Sequence, residues 1–592
     1  MRRLAAGRRW LIAGLLGAAA PAAAQQRSPA AAAVARLSDE YWRAELDRFP
    51  ELATINGFRG PRNGGLTDIS PAGFSAWDAR LRRLSAALSA VDSSRLARAD
   101  RVNLALLRDE VESALGARVC HRELWTVDQL NGPQVAFATL AALQPVGTAA
   151  ERDAVLARWR RMGPYVDQYV RNLRRGLDSG YVAARINVER VADQIDRLLE
   201  QPADSSPFLA PVRRAGRAGA GAFADALRTV VRDRIHPALR RYRDFLRTDY
   251  LPRSREQPGV RGIPNGAACY TALIRLHTSL AIPAESLHQD GLAEVAAIRG
   301  EMAAIARRRF QAENLDSLLR ALPRDTSLTF ATRHDVFEAA RDAVSRMERK
   351  LPELFDRLPR RRVVVEEMPA YQERDAPAAY YYQGTADGRR PGRYLVNTYE
   401  PRSRPRYTSE VLAYHEAVPG HHLQIALAQE LPLPAFRRYG GGSNALIEGW
   451  ALYTERLADE AGMYGGDLDR LGMLIFQSWR ACRLVVDTGL HALGWSRRQA
   501  VDYLLHNTAL SELDAENEVD RYIVDPGQAL AYKVGQREIL RLREEARRRL
   551  GARFDLRRFH DAVLRDGAVT LPVLAENVRE WEQGQGGATG AQ

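Results

Sequence analysis

The sequence predicts a mainly α-helical protein with one small β-sheet. Three observations point that way. Apolar residues recur at three- and four-residue steps over most of its 592 residues, the signature of helices with one buried face. Only residues 361–400 are dense in Val and Tyr, as strands are. Pro and Gly gather at a few breaks, with no fixed repeat period, which excludes a regular helical solenoid. With 46% hydrophobic and 27% charged residues the composition is that of a globular protein, long enough for more than one lobe.

In chain order, "MRRLAAGRRWLIAGLLGAAAPAAAQQ" reads as an export signal. Arg2, Arg3, Arg8 and Arg9 precede an apolar run, Trp10 to Ala20, too short to span a membrane, and Ala22-Ala23-Ala24 is a small-residue cleavage site. The expected signal peptide is residues 1–24, with "RRWLI" a loose twin-arginine match. No cysteine stands at the cleavage site, so no lipid anchor is expected, and no later stretch reaches the length of a membrane span. Helices follow at "PAAAAVARLSDEYWRAEL", "FSAWDARLRRLSAALSAV" and "AFADALRTVVRDRIHPALRRYRDFLRTDYL". Breaks at 56–66, 201–212 and 252–268 lead to an expected N-terminal helical lobe over 25–260 and a second lobe over 261–582. Strands are expected at 361–369, 378–384 and 392–400, with "TADGRRPG" turning between the last two. A strand beside a metal-binding helix is a place where a peptide backbone adds itself as an extra strand; Tyr380–Tyr382 and Arg393–Asn397 are the candidates. The tail from 583 to 592 is expected to be disordered.

The net charge is +13. The arginines are interspersed with Asp and Glu along helices and no nucleic-acid motif accompanies them, so nucleic-acid binding is not expected. Only Lys350 and Lys533 are lysines. Three cysteines, Cys120, Cys269 and Cys482, are too few for a disulfide-built fold, and free buried thiols are expected rather than a bridge.

The chemistry concentrates in "YHEAVPGHHLQ", residues 414–424. A His-Glu-x-x-His helix sets two imidazoles one turn apart for zinc, with the Glu beside them as base. Here His415 and Glu416 begin that pattern, but position 419 is proline. Proline breaks the helical hydrogen bond to residue 415, and Gly420 permits an unusual backbone angle. A bulge of two residues at Pro419-Gly420 puts His421 in the place of the second ligand. A bulge of three puts His422 there. On an unbroken helix His415 and His422 would stand roughly 10 Å apart along the axis. His421 is therefore the favoured ligand, with His422 as the alternative or as a support behind it. Thr408 or Ser409 is expected to cap the helix start.

A catalytic zinc needs a third protein ligand. Glu448, in the apolar helical run "SNALIEGWALYTERLADE", is the candidate, because a carboxylate in apolar company needs a charge partner. Glu455 lies two turns on, on the same face, and is a candidate to orient a ligand histidine. In "CRLVVDTGLHALGW" Arg483, Asp487 and His491 form a polar stripe, either an internal ladder or part of the site. In "VDRYIVDPGQALAYKVG" Tyr522 and Tyr532 are candidates, with His491, to face a developing oxyanion.

Taken together, "HEAVPGHHLQ", "EGWALYTE", "RLVVDTGLHALGW" and "RYIVDPGQALAYKVG" resemble the bacterial DUF885 family, grouped with gluzincin-type metallopeptidases through its His-Glu-x-x-Pro-Gly-His motif. The resemblance runs from about residue 40 to 580, although many members have Tyr-Tyr where this chain has Cys269-Tyr270. It implies a two-lobed helical fold with a deep cleft. It also implies zinc held by His415, His421 and Glu448, with Glu416 as general base, and it favours His421 over His422. The expected function is an exported zinc metallopeptidase acting on short peptides. Two rivals are a zinc hydrolase of a non-peptide amide or ester and a non-catalytic peptide- or metal-binding protein; the presence of Glu416 speaks against the latter.

Overall fold

The computed structural model describes residues 28–369, 373, 377–385 and 388–586. The expected signal peptide, and the part of the tail after residue 586, lie outside the described residues. Among the described residues no helix is long and apolar enough to cross a membrane.

The chain folds mainly as helices, and their ends follow local chemistry. Ser28 and Ser70 each accept a backbone N–H at the start of a helix opened by proline, Pro29–Arg48 and Pro71–Ser89. A capping box of Thr148 and Glu151 starts the long helix Ala149–Ser179, and Gly180 in the left-handed conformation stops it. The segment expected as one helix after residue 222 is interrupted by π-turns at Val231–Ile235 and Leu246–Tyr250, the first directly ahead of Pro237, whose missing N–H cannot continue a regular ladder. The expected disordered tail is shorter than read, because the last helix, Leu571–Gly586, runs into it.

The apolar cores divide the chain differently from the boundary expected at residue 260. Helices from Ala31 to Trp125 share one core with residues from Val260 to Val578. A second core is built almost wholly from Val127 to Tyr250. A third joins the helices Ala284–Phe310, Asp467–His491 and Glu512–Val524. A cavity of about 960 Å³ opens between the second body, through Gln129, Arg190 and Gln194, and the rest, through Tyr394, Asn397, Trp479 and Glu518.

The expectation of free cysteines is corrected. Cys120 and Cys269 form a disulfide, and only Cys482 is a free, buried thiol. Cys120 ends a turn after one helix and Cys269 opens another; both are fully buried, with Cα atoms 4.7 Å apart. A separation of 149 residues leaves no local trace of such a pairing.

The three strands are β1 (Val364–Glu367), β2 (Ala379–Tyr382) and β3 (Arg393–Val396). Their order is β1-β3-β2, with β1 parallel and β2 antiparallel to β3. Thr385 N–H to Arg390 O, 3.0 Å, closes the β2–β3 turn. β3 is thus the central strand, paired on both sides, so Arg393–Val396 cannot add a peptide. Among the described residues β2 is paired on one side only. Asn397 N–H donates to Ala378 O across the pair. By the antiparallel alternation Tyr380 and Tyr382 also face β3, and the backbone groups of Ala379 and Tyr381 face outward.

Candidate metal centre

The sequence stretch around Pro419 makes two helices rather than one bulged helix. Ser409–Glu416 ends before Ala417 and His421–Glu430 begins after Gly420. Thr408 precedes the first helix without capping it; its hydroxyl donates to Pro405 O. His422 N–H reaches back to Ala417 O, 3.0 Å, and closes the break. Gly420 is required there, since a Cβ would lie 1.9 Å from the His415 carbonyl oxygen. Trp450 Nε1–H donates to Pro419 O, 2.9 Å, tying the break to the helix Asn444–Glu460.

This break turns His421 toward His415, with ring centroids 4.9 Å apart. His415, His421 and Glu448 each offer one ligand atom, all within 4.8 Å of one another. His421 Nε2 lies 3.5 Å from Glu448 Oε2, and His421 Nδ1 is buried without a partner. His415 Nδ1 meets Glu455 Oε1 at 2.8 Å, which leaves Nε2 for the cluster. The other Glu455 oxygen accepts Gln477 Nε2–H, 2.6 Å, and Gln477 Oε1 accepts from Lys533 and Gln536. A buried polar chain therefore fixes the tautomer and tilt of His415, the arrangement seen behind metal-bound histidines. Two nitrogens and one carboxylate, with His415 held in place by Glu455, fit a zinc ion with a position left for water.

His422 faces elsewhere. Its Nδ1 meets Tyr381 Oη at 3.1 Å and its Nε2 donates to Arg361 O at 2.9 Å. Both nitrogens are engaged outside the cluster, so His422 as an alternative ligand does not fit, and its contacts support β2 instead.

The cluster shapes its own acid–base properties in the metal-free protein. Burial works to raise the Glu448 carboxyl, but the His421 imidazole brings it down to about 2. Burial pulls His421 down, yet the Glu448 carboxylate outweighs it and holds the imidazole above its ordinary value. Burial, with the Glu448 carboxylate beside it, carries Glu416 up to about 7, partly opposed by His421 and Arg480. The backbone N–H of Tyr381 donates to the Glu416 carboxylate, which sets the outward edge of β2 against the base.

Helix crossing brings the remaining groups close. Gly449 and Gly535 meet face to face; a Cβ on Gly449 would lie 2.4 Å from Gly535 Cα. This contact lays the helix Ala531–Leu550 against Asn444–Glu460 and sets Tyr532 within electrostatic reach of Glu448. Tyr532 is half-buried under the Arg483 guanidinium, 4.3 Å from its ring centroid. The other two oxyanion candidates are corrected. Tyr522 donates its hydroxyl to Glu518, 2.6 Å, and accepts from Arg483 Nε, 3.1 Å, so its proton is already committed. His491 accepts Val260 N–H on Nδ1 and donates Nε2–H to Tyr522 O. Asp487 accepts from Tyr270 Oη and Gly527 N–H. Of the polar stripe, Arg483 reaches the site while Asp487 and His491 tie helices together. Gln477, Arg480 and Trp450, which sequence reading missed, belong to the site's surroundings; all three are single polar or aromatic residues on apolar helices, indistinguishable by pattern from core positions.

A mainly helical fold that gathers two imidazoles and a carboxylate next to a half-buried glutamate defines a protein with a candidate metal centre. The chain matches the model of a bacterial protein family of unknown function, DUF885, over residues 50–578, and it belongs to that family. No curated protein matches it. It is similar, at 26% identity and a TM-score of 0.87, to a crystal structure described as "the putative lipoprotein from Colwellia psychrerythraea", over 94% of this chain and 100% of that one. A second structure, described as "a putative lipoprotein of unknown function from Shewanella oneidensis", shares the fold with a TM-score of 0.71 at 20% identity, over 92% and 99% of the two chains.

Proposed function

We propose that this protein is an exported zinc-dependent peptidase. One observation carries the reading: His415, His421 and Glu448 present ligand atoms within 4.8 Å of one another, directly beside the half-buried carboxyl of Glu416. His415, His421 and Glu448 would hold the ion, and zinc bound there would supply a water of lowered pKa and polarise a carbonyl. Glu416 is suited to accept a proton at its carboxylate and return it to a leaving amine, because burial keeps its basicity near neutrality. Tyr532 has a phenol near Glu448 to donate to a developing oxyanion. With the Tyr381 N–H held by Glu416, the outward backbone of Ala379 and the Tyr381 carbonyl are left to an extended peptide, which favours a peptide over other amides or esters. Export is supported by the leader pattern, by a disulfide of the kind that persists outside the cytosol, and by the description of the Colwellia neighbour as a putative lipoprotein.

A peptide library incubated with the zinc-loaded protein and with Glu416→Gln tests the reading. Cleavage by the wild type, falling by roughly 10²- to 10⁴-fold in Glu416→Gln with zinc content unchanged, is the expected result. Zinc in both forms and cleavage in neither would mean that the site binds without turnover.

A further inference from the structure

Arg480 is a buried cation with no anion. It lies on the helix Asp467–His491, is 6% exposed, and its Nε and Nη1 are buried without a hydrogen-bond partner. Among the described residues no carboxylate forms an ion pair with it. Two aromatic rings hold its plane: the guanidinium carbon is 4.2 Å from the Trp479 ring centroid and 4.6 Å from that of Phe476. Stacking of this kind orients a guanidinium but uses none of its five donors. One turn on, Arg483 has Nη1 buried and unpartnered as well, although its other nitrogens reach Tyr522 and Glu518.

Other buried arginines are anchored by oxygen acceptors or carboxylates. Arg158, fully buried, reaches five oxygen acceptors, and Arg437 reaches Asn103 and Asp566. Near Arg480 the acids are already engaged. Glu455 gives one oxygen to His415 and the other to Gln477, and Glu518 takes Arg483, Arg521 and Tyr522. A buried unpaired charge is unfavourable unless an anion arrives to meet it.

Its location says where that anion would come from. Arg480 acts electrostatically on His415, Glu416 and His421. The rings that hold it, Phe476 and Trp479, line the 960 Å³ cavity. Arg480 thus packs behind the wall of that cavity, within electrostatic reach of the candidate metal centre.

We propose that Arg480, with Arg483 beside it, receives a carboxylate of the substrate. A planar guanidinium matches a carboxylate through two parallel hydrogen bonds, which supplies orientation as well as attraction. The carboxylate is either the free C-terminus of a peptide, which makes the cleaved bond one near that end, or the side chain of an acidic residue. The word substrate rests on the hydrolase reading; binding of the carboxylate does not.

The test is calorimetry on the zinc-loaded Glu416→Gln protein, which spares the probes, with and without Arg480→Met. The probes are N-acetyl-Ala-Ala with a free C-terminus, the same peptide amidated, and N-acetyl-Ala-Glu amidated. The free acid is expected to bind roughly a hundredfold more tightly than the amide. That preference should vanish in Arg480→Met and survive in part in Arg480→Lys. Tight binding of the amidated Glu peptide assigns the side-chain carboxylate; tight binding of the free acid alone assigns the terminus. Arg480→Met is expected to melt at or above its parent, having lost an unpaired buried charge; if it fails to fold, Arg480→Lys decides by the same acid-to-amide ratio. Equal binding of all three probes, or binding of none, overturns the proposal. A wild type that cleaves no peptide yet keeps the ratio would sink the peptidase reading and leave this one standing.

Discussion

His421 and His422 are neighbours with opposite circumstances. The first faces Glu448 with its Nδ1 unpartnered, and the second has both nitrogens engaged by Tyr381 and Arg361. Elemental analysis of purified variants should therefore separate them. About one zinc per chain is expected in the wild type and in His422→Ala, and little in His415→Ala, His421→Ala or Glu448→Ala. Retention in His421→Ala would mean a different ligand set. Zinc uptake should also depend on pH in a particular direction. A ligand imidazole must be neutral, and Glu448 holds His421 protonated above its ordinary value. As pH falls, protons should begin to displace zinc above the usual imidazole range, near about 6.5. A zinc titration across pH checks this, and in Glu448→Gln any residual proton competition should move to lower pH.

The element that builds the site is a pair of crossing helices. Gly449 beside Glu448 reads in sequence as a weak spot in a helix, but it exists because the Gly535 backbone occupies the space a side chain would need. Gly449→Ala and Gly535→Ala are each expected to cost about 3 kcal/mol in chemical denaturation and to weaken zinc binding, since the crossing positions Glu448. An exposed control such as Gly300→Ala, where a Cβ meets nothing within 4 Å, should be neutral or stabilising. The break at Ala417–Gly420 is a second such element. Its existence was legible from Pro419 and Gly420, and so was the choice of His421 over His422 as the residue brought beside His415. Its form as two separate helices was not, because that depends on Trp450 and on backbone oxygens that only the folded chain brings together.

At the scale of the molecule, the Cys120–Cys269 bridge joins the chain just before the body of residues 127–250 to the chain just after it. Cross-linking the two ends of so large an excursion restricts the unfolded chain. Reduction, or Cys120→Ser with Cys269→Ser, is expected to remove about 2–5 kcal/mol of stability. Thermal melting followed by limited proteolysis checks this, with the first cuts expected within 127–250. Unchanged melting would show that the cores alone hold that body in place. The cavity lies between the bodies and is lined by Phe476 and Trp479, the rings that hold Arg480, so relative movement of the bodies would alter access to that arginine.

The sequence by itself determined that the protein is mainly helical with one small sheet, that a histidine-rich break follows that sheet, and that His415, Glu416, His421 and Glu448 belong together. These properties are local: periodicity, proline chemistry and the need of a carboxylate in apolar surroundings act over a few residues. Only the tertiary structure decided that Cys120 meets Cys269, that β3 is central and β2 the edge, that His491 and Tyr522 are already bonded, and that Arg480 is not. Each of these depends on what another part of the chain, tens or hundreds of residues away, presents to the same few ångströms of space. No pattern along the chain records how a hydrogen-bonding group is finally satisfied.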